Sequence, residues 1–167
     1  MKKQFLYIAF IVVLFSSCAS SKKVAQTNTN DKDYTVGAII EAATTQREIG
    51  NNDKAIDLYN QALKKDPNNA AAYYYLASIY FEKQDVDKAI NMNKLAMDKD
   101  SKNIWYPLQL SEIYLSLQKY DEAASTYEKV IKLDPNTIEY YKNLANIYRV
   151  EGNDDKELEV LNRIEKR

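Results

Sequence analysis

Histidine is absent from the 167 residues, cysteine occurs once, and glycine and proline occur three times each. Without histidine there is no imidazole base, no Ser/His or Cys/His nucleophile pair and no histidine metal ligand. One cysteine, Cys18, excludes an intrachain disulfide framework and a cysteine-based zinc site. Gly37, Gly50 and Gly152 are too scattered to build a phosphate-cradling loop. Excess charge is missing too: 23 Lys and Arg stand against 24 Asp and Glu, a formal charge of −1, which is poor electrostatics for nucleic acid. What remains is 46% apolar and 11% aromatic, a globular balance.

The carboxylates are spread among lysines, as Glu122 with Lys119 and Glu128 with Lys132, the latter in the supportive i, i+4 order. These are solvated helix faces, and Asp98 and Asp100 read as turn residues at a helix end. No catalytic residue, metal ligand, cofactor or small-molecule substrate is implied.

The first residues form an address. Lys2 and Lys3 precede eleven apolar residues, Phe5 to Phe15, the n- and h-regions of an export signal. In helical form that run rises about 16 Å, short of the ~30 Å hydrocarbon core. The stretch Leu14-Phe15-Ser16-Ser17-Cys18 resembles a bacterial lipobox, with Phe15 where the strict pattern has an aliphatic residue. The resemblance implies removal of residues 1–17 and acylation of Cys18; the alternative is ordinary cleavage near Ala19 and a free thiol. Loss of Lys2 and Lys3 leaves 21 basic and 24 acidic residues, a mature charge of 21 − 24 = −3. No aspartate follows Cys18, which by resemblance to Gram-negative lipoproteins points to the outer membrane, facing the periplasm. Residues 18–35 then read as the lipidated cysteine and a polar, flexible tether.

A 34-residue step organises the rest. Leu76, Leu110 and Leu144 keep it, as do Ala77, Ser111 and Ala145; Ile79, Ile113 and Ile147; Tyr80, Tyr114 and Tyr148; Ala55, Ala89 and Ala123. Within one period, Tyr73, Leu76, Ala77 and Tyr80 fall on one helical face, and Val86, Ala89, Ile90 and Asn93 open a second. Gly50 and Gly152 suit left-handed helix ends, and Asp66-Pro67 and Asp134-Pro135 close the second helices. Such hairpins bury their apolar faces only by stacking, so the expected fold is all-α, an α-solenoid.

These columns resemble the tetratricopeptide repeat. The first-helix small residue is Ala43, Ala77, Ser111 or Ala145, and the aromatic one turn on is Tyr80, Tyr114 or Tyr148, with Gln46 departing. The second helix opens on Ala55, Ala89 or Ala123 and continues to Tyr59 or Tyr127, with Asn93 departing. Ala62 and Ala96 fill the next small position, and Pro67 and Pro135 close, with Ser101 departing. The resemblance places repeats at 36–69, 70–103, 104–137 and 138–167 and implies a right-handed superhelix. In the fourth, Glu157 stands in place of alanine, and the last helix is either a polar cap or a junction to further chain.

In that family the first helices line a concave groove. Carried over position by position, groove residues are Ile40, Thr44 and Arg47; Tyr74, Ser78 and Phe81; Trp105, Leu108, Glu112 and Leu115; Lys142, Asn146 and Arg149. Tyr74, Phe81, Trp105, Leu108 and Leu115 make an apolar, aromatic patch with polar ends; the alternative is that they pack between adjacent helices. Lys142 and Asn146 match only half of the carboxylate clamp that some members of the family carry. The function implied is non-enzymatic: a lipid-anchored adaptor for a protein or peptide partner of the cell envelope. A structural spacer and the docking part of a longer protein are the alternatives.

Overall fold

A computed structural model describes residues 34–166. The expected signal peptide, Cys18 and nearly all of the tether lie outside the described residues. Eight helices and no strand occur among the described residues: α1 (Val36–Glu48), α2 (Asn52–Lys65), α3 (Ala70–Glu82), α4 (Val86–Lys99), α5 (Trp105–Ser116), α6 (Tyr120–Leu133), α7 (Ile138–Glu151) and α8 (Asp154–Glu165). They pair as four hairpins, and each second helix packs on the first helix of the next hairpin. The fold is an α-solenoid. No described helix is long and apolar enough to cross a membrane.

The turns within hairpins repeat the 34-residue step in the backbone itself. Gly50, Gln84, Gln118 and Gly152 all adopt positive φ, at 79°, 62°, 58° and 84°. Each donates its N–H to the carbonyl three residues back: Arg47, Phe81, Leu115 and Arg149. The next residue closes a wider loop, from Asn51 to Gln46, Asp85 to Tyr80, Lys119 to Tyr114 and Asn153 to Tyr148. This is the Schellman arrangement, which favours glycine. The two glutamines hold it at a conformational cost that glycine avoids.

Between hairpins the repeated element is an aspartate. Asp66, Asp100 and Asp134 each accept, through Oδ1, the N–H two residues on, from Asn68, Lys102 and Asn136 at 3.0, 3.2 and 3.2 Å. This turn redirects the chain into the next first helix.

The columns read from the sequence form the core. Ala43, Ala77 and Ser111, and Ala55, Ala89 and Ala123, are wholly buried, which lets the paired helices approach closely. Two apolar clusters form among the buried residues, one of α1–α3 around Tyr59, Leu76 and Ile79, the other of α5–α8 around Leu110, Val130 and Leu144. Tyr59 and Tyr127 are buried, whereas Tyr80 and Tyr148 are half-buried beneath the ammonium groups of Lys88 and Lys156, at 5.2 and 5.0 Å from their ring centres. In α8, Leu158 and Leu161 are exposed although Ala124 and Tyr127, one period earlier, are buried against α7.

Candidate protein-binding surface

The first helices α1, α3 and α5 bring aromatic and charged side chains into one cluster. Tyr74 of α3 lies edge-on to Tyr75, with ring centres 5.4 Å apart, and tilts against Tyr106 of α5 at 5.4 Å. Tyr75 stacks on Tyr59 of α2 at 5.5 Å. The Arg47 guanidinium of α1 sits 6.0 Å from the Tyr75 ring centre and reaches Glu82 of α3 at 3.3 Å, and Asn52 donates to the other Glu82 oxygen. Burial pushes the phenol pKa of Tyr59, Tyr74 and Tyr106 up from ordinary tyrosine, so these hydroxyls stay neutral and act as hydrogen-bonding groups.

A second feature is a polar relay. Asn93 of α4, wholly buried, donates to Gln109 of α5 at 2.5 Å, and Gln109 donates to Ser78 of α3 at 2.6 Å. Asn93 stands in the column of Tyr59 and Tyr127, and each member of that column meets the residue sixteen positions on. Tyr59 stacks on Tyr75, Asn93 bonds Gln109, and Tyr127 accepts from Asn143 at 2.9 Å. The relay lies where the two apolar clusters meet.

The surface has the following composition. Trp105 is 63% exposed at the start of α5, and Glu112, Lys142, Asn146 and Arg149 are exposed. Tyr74, Phe81, Leu108 and Leu115 are half-buried, the last two resting on the α5–α8 cluster. Ser78 is held by the relay, with its hydroxyl also donating to the Tyr74 carbonyl at 3.3 Å. Arg149 donates to Asn146, and Lys142 pairs with Glu139 at 3.5 Å. Ile40 packs on the α1–α3 cluster, and Thr44 shares a 3.0 Å hydrogen bond with the Tyr59 hydroxyl. Among the described residues no group of three acidic or thiol side chains is placed to hold a metal ion.

Two tetratricopeptide-repeat models match the sequence, over residues 40–103 and 112–149. These hairpins are tetratricopeptide repeats. A crystal structure of MamA is similar at 26% identity and a TM-score of 0.66, over 78% of this chain and 79% of that one. The first tetratricopeptide domain of Spaghetti (RPAP3), bound to the HSP90 peptide SRMEEVD, is similar at 26% identity and a TM-score of 0.63, over 71% of this chain and 96% of that one. A second MamA structure, from AMB-1, shares the fold at 19% identity and a TM-score of 0.66, over 83% of this chain and 76% of that one. No curated protein sequence matches significantly.

Tetratricopeptide domains mediate protein–protein contact, and sequence reasoning located the first and second helices of the hairpins. It missed two things. Glu128, expected to pair with Lys132, instead holds Arg163 of α8 through both oxygens at 2.5 and 3.1 Å. The relay was also missed, although Asn93 in an aromatic column was its signal.

The relay makes a prediction about the repeats. Asn93→Leu removes the donor to the Gln109 amide oxygen and should cost about 1–3 kcal/mol, the desolvation penalty of an unpaired polar group. Adding Gln109→Leu should recover part of that loss, measured by urea denaturation as a double-mutant cycle. Additive losses would show that the two side chains act separately.

Proposed function

We propose that this chain is a non-enzymatic adaptor, exported and anchored by acylated Cys18 to the outer membrane, facing the periplasm. In this reading it holds an extended peptide or a helix of an envelope protein along its first helices. The observation that carries it is Trp105, 63% exposed. It stands on the same first-helix series as Tyr74, Phe81 and Leu108, and that series also carries Arg47, Glu112 and Arg149. Partly exposed aromatic groups rimmed by charge are the composition of protein-binding hot spots. The RPAP3 domain, similar over 71% of this chain, is bound to an HSP90 peptide, which supports a peptide as the occupant here.

The test is photo-crosslinking in the native cell. A photoreactive residue replaces Trp105 or, separately, Phe81, and the exposed Lys54 of α2 carries the control probe. A discrete adduct from Trp105 and Phe81 but not from Lys54 is the expected result. Equal background at all three positions would leave the chain a spacer between membrane and partner.

A further inference from the structure

The three junctions between hairpins are built on one plan, and the middle one lacks a part. At the first, the Tyr73 hydroxyl donates to the Pro67 carbonyl at 3.3 Å. At the third, Tyr141 donates to Pro135 at 3.1 Å. At the second, the corresponding positions are Pro107 and Ser101, so the aromatic ring and its proline are both replaced. There a cleft of about 780 Å³ opens between α4 and α6, floored by Met97, Pro107, Leu110 and Tyr114. The cleft one period earlier, between α2 and α4, measures about 680 Å³ and contains Tyr73 itself, beside Leu63 and Met92, so the two differ in lining more than in size.

The charges differ in the same way. At the third junction Glu128 and Arg163 bridge α6 to α8, and the guanidinium lies 5.1 Å from the Tyr141 ring centre. Glu128 holds Arg163 above even the usual arginine pKa, so the bridge stays charged. One period earlier the two positions are Lys94 and Lys129, both exposed and both lining the cleft, with Lys132 beside them. Two cations replace an ion pair, and no ion pair among the described residues engages these three lysines. The acidic groups of the same cleft have contacts of their own. Asp121 meets Lys156 at 3.5 Å, Glu122 meets Lys119 at 3.9 Å, Asp98 meets Lys99 at 3.7 Å, and Asp100 caps the Lys102 N–H.

We propose that this cleft, which opens between the second helices α4 and α6 with α5 at its floor, seats an aromatic side chain of a partner peptide, with a neighbouring carboxylate between Lys94 and Lys129. The ring takes the place that Tyr73 and Tyr141 fill at the other junctions, and its hydroxyl faces the Ser101 carbonyl as theirs face Pro67 and Pro135. An acidic flank supplies the charge that Glu128 supplies one period later. The site is independent of the first-helix surface, so the chain would engage two segments at once.

The methionine methyls report it directly. Of the three methionines, Met97 lines this cleft, Met92 lines the earlier one, and Met1 lies outside the described residues. With methyl-labelled full chain, acetyl-Glu-Tyr-Glu-amide should move the Met97 methyl resonance in a saturable way in the millimolar range while Met92 stays in place. Acetyl-Gln-Ala-Gln-amide and acetyl-Lys-Tyr-Lys-amide should bind about tenfold more weakly or worse. Pro107→Tyr supplies the ring in cis and should abolish the Met97 response, with an unmoved Met92 signal reporting an intact fold. Lys94→Glu with Lys129→Glu should reverse the preference toward acetyl-Lys-Tyr-Lys-amide. An unmoved Met97, or an equal response to the acidic and basic peptides, would overturn the proposal, whatever crosslinking at Trp105 and Phe81 shows.

Discussion

Leu144→Ala should lower stability by about 2–5 kcal/mol, the range for truncating a buried leucine whose surroundings cannot collapse. Leu144 is wholly buried in α7, in one apolar cluster with Leu110 of α5, Tyr127 and Val130 of α6, and Val160 of α8. The loss should also be local. Each hairpin touches only its neighbours, so a repeat stack adds nearest-neighbour terms and need not melt as one unit. Here the division has a visible place. The α1–α3 and α5–α8 clusters meet at α4, where Asn93, Gln109 and Ser78 join them through hydrogen bonds. Hydrogen exchange on Leu144→Ala should therefore show α5–α8 amides loosened first, with α1–α3 still protected. Leu76→Ala, in the other cluster, should give the mirror pattern. Uniform loss of protection in either variant would mean that the relay couples the halves as firmly as an apolar core.

The period was legible because side-chain size must recur wherever the same helices cross. Ala43, Ala77, Ser111 and Ala145 mark the crossing of each hairpin, and all four are buried. Gly50 and Gly152 announced two of the four left-handed turns. Gln84 and Gln118 gave no composition signal, and their place follows only from counting 34 residues. Pairings between hairpins were less legible. From sequence, Glu128 has a lysine one turn away, and only the approach of α8 to α6 gives Arg163 both carboxylate oxygens. Bidentate geometry from a guanidinium then prevails over a flexible ammonium.

The same limit applies to the surfaces. Ser78 falls in register with the groove column, yet its hydroxyl is taken by Gln109, whose reach across from α5 no spacing reveals. Trp105 is exposed because it opens α5, where no earlier turn of that helix exists to cover it. The replacement of Pro67 by Ser101 is visible as a single departure. That Pro107, in a different column, lines the same cleft appears only in the structure.

The proposed anchor predicts the most complete effect of all. Cys18→Ser should abolish incorporation of an alkyne-tagged fatty acid and move the protein from the membrane to the soluble fraction. The size of the change follows from the acyl chains. Each buried methylene contributes ~0.8 kcal/mol, one chain holds only marginally, and two or more hold stably, so removing their attachment point is close to all-or-none. The substitution lies outside the repeats in sequence, because seventeen mostly polar residues, 19–35, separate Cys18 from α1. The purified Cys18→Ser chain should therefore keep the thermal midpoint of the deacylated wild type. Phe15 makes the experiment decisive. If an aromatic residue at that place defeats the lipid-transfer machinery, the wild type will be unlabelled and soluble as well, cleaved as an ordinary exported protein. Labelling of the wild type alone would establish Cys18 as the acceptor. It would also place the first-helix surface within one tether length of the bilayer, confining its partners to membrane proteins and to periplasmic segments that come equally near.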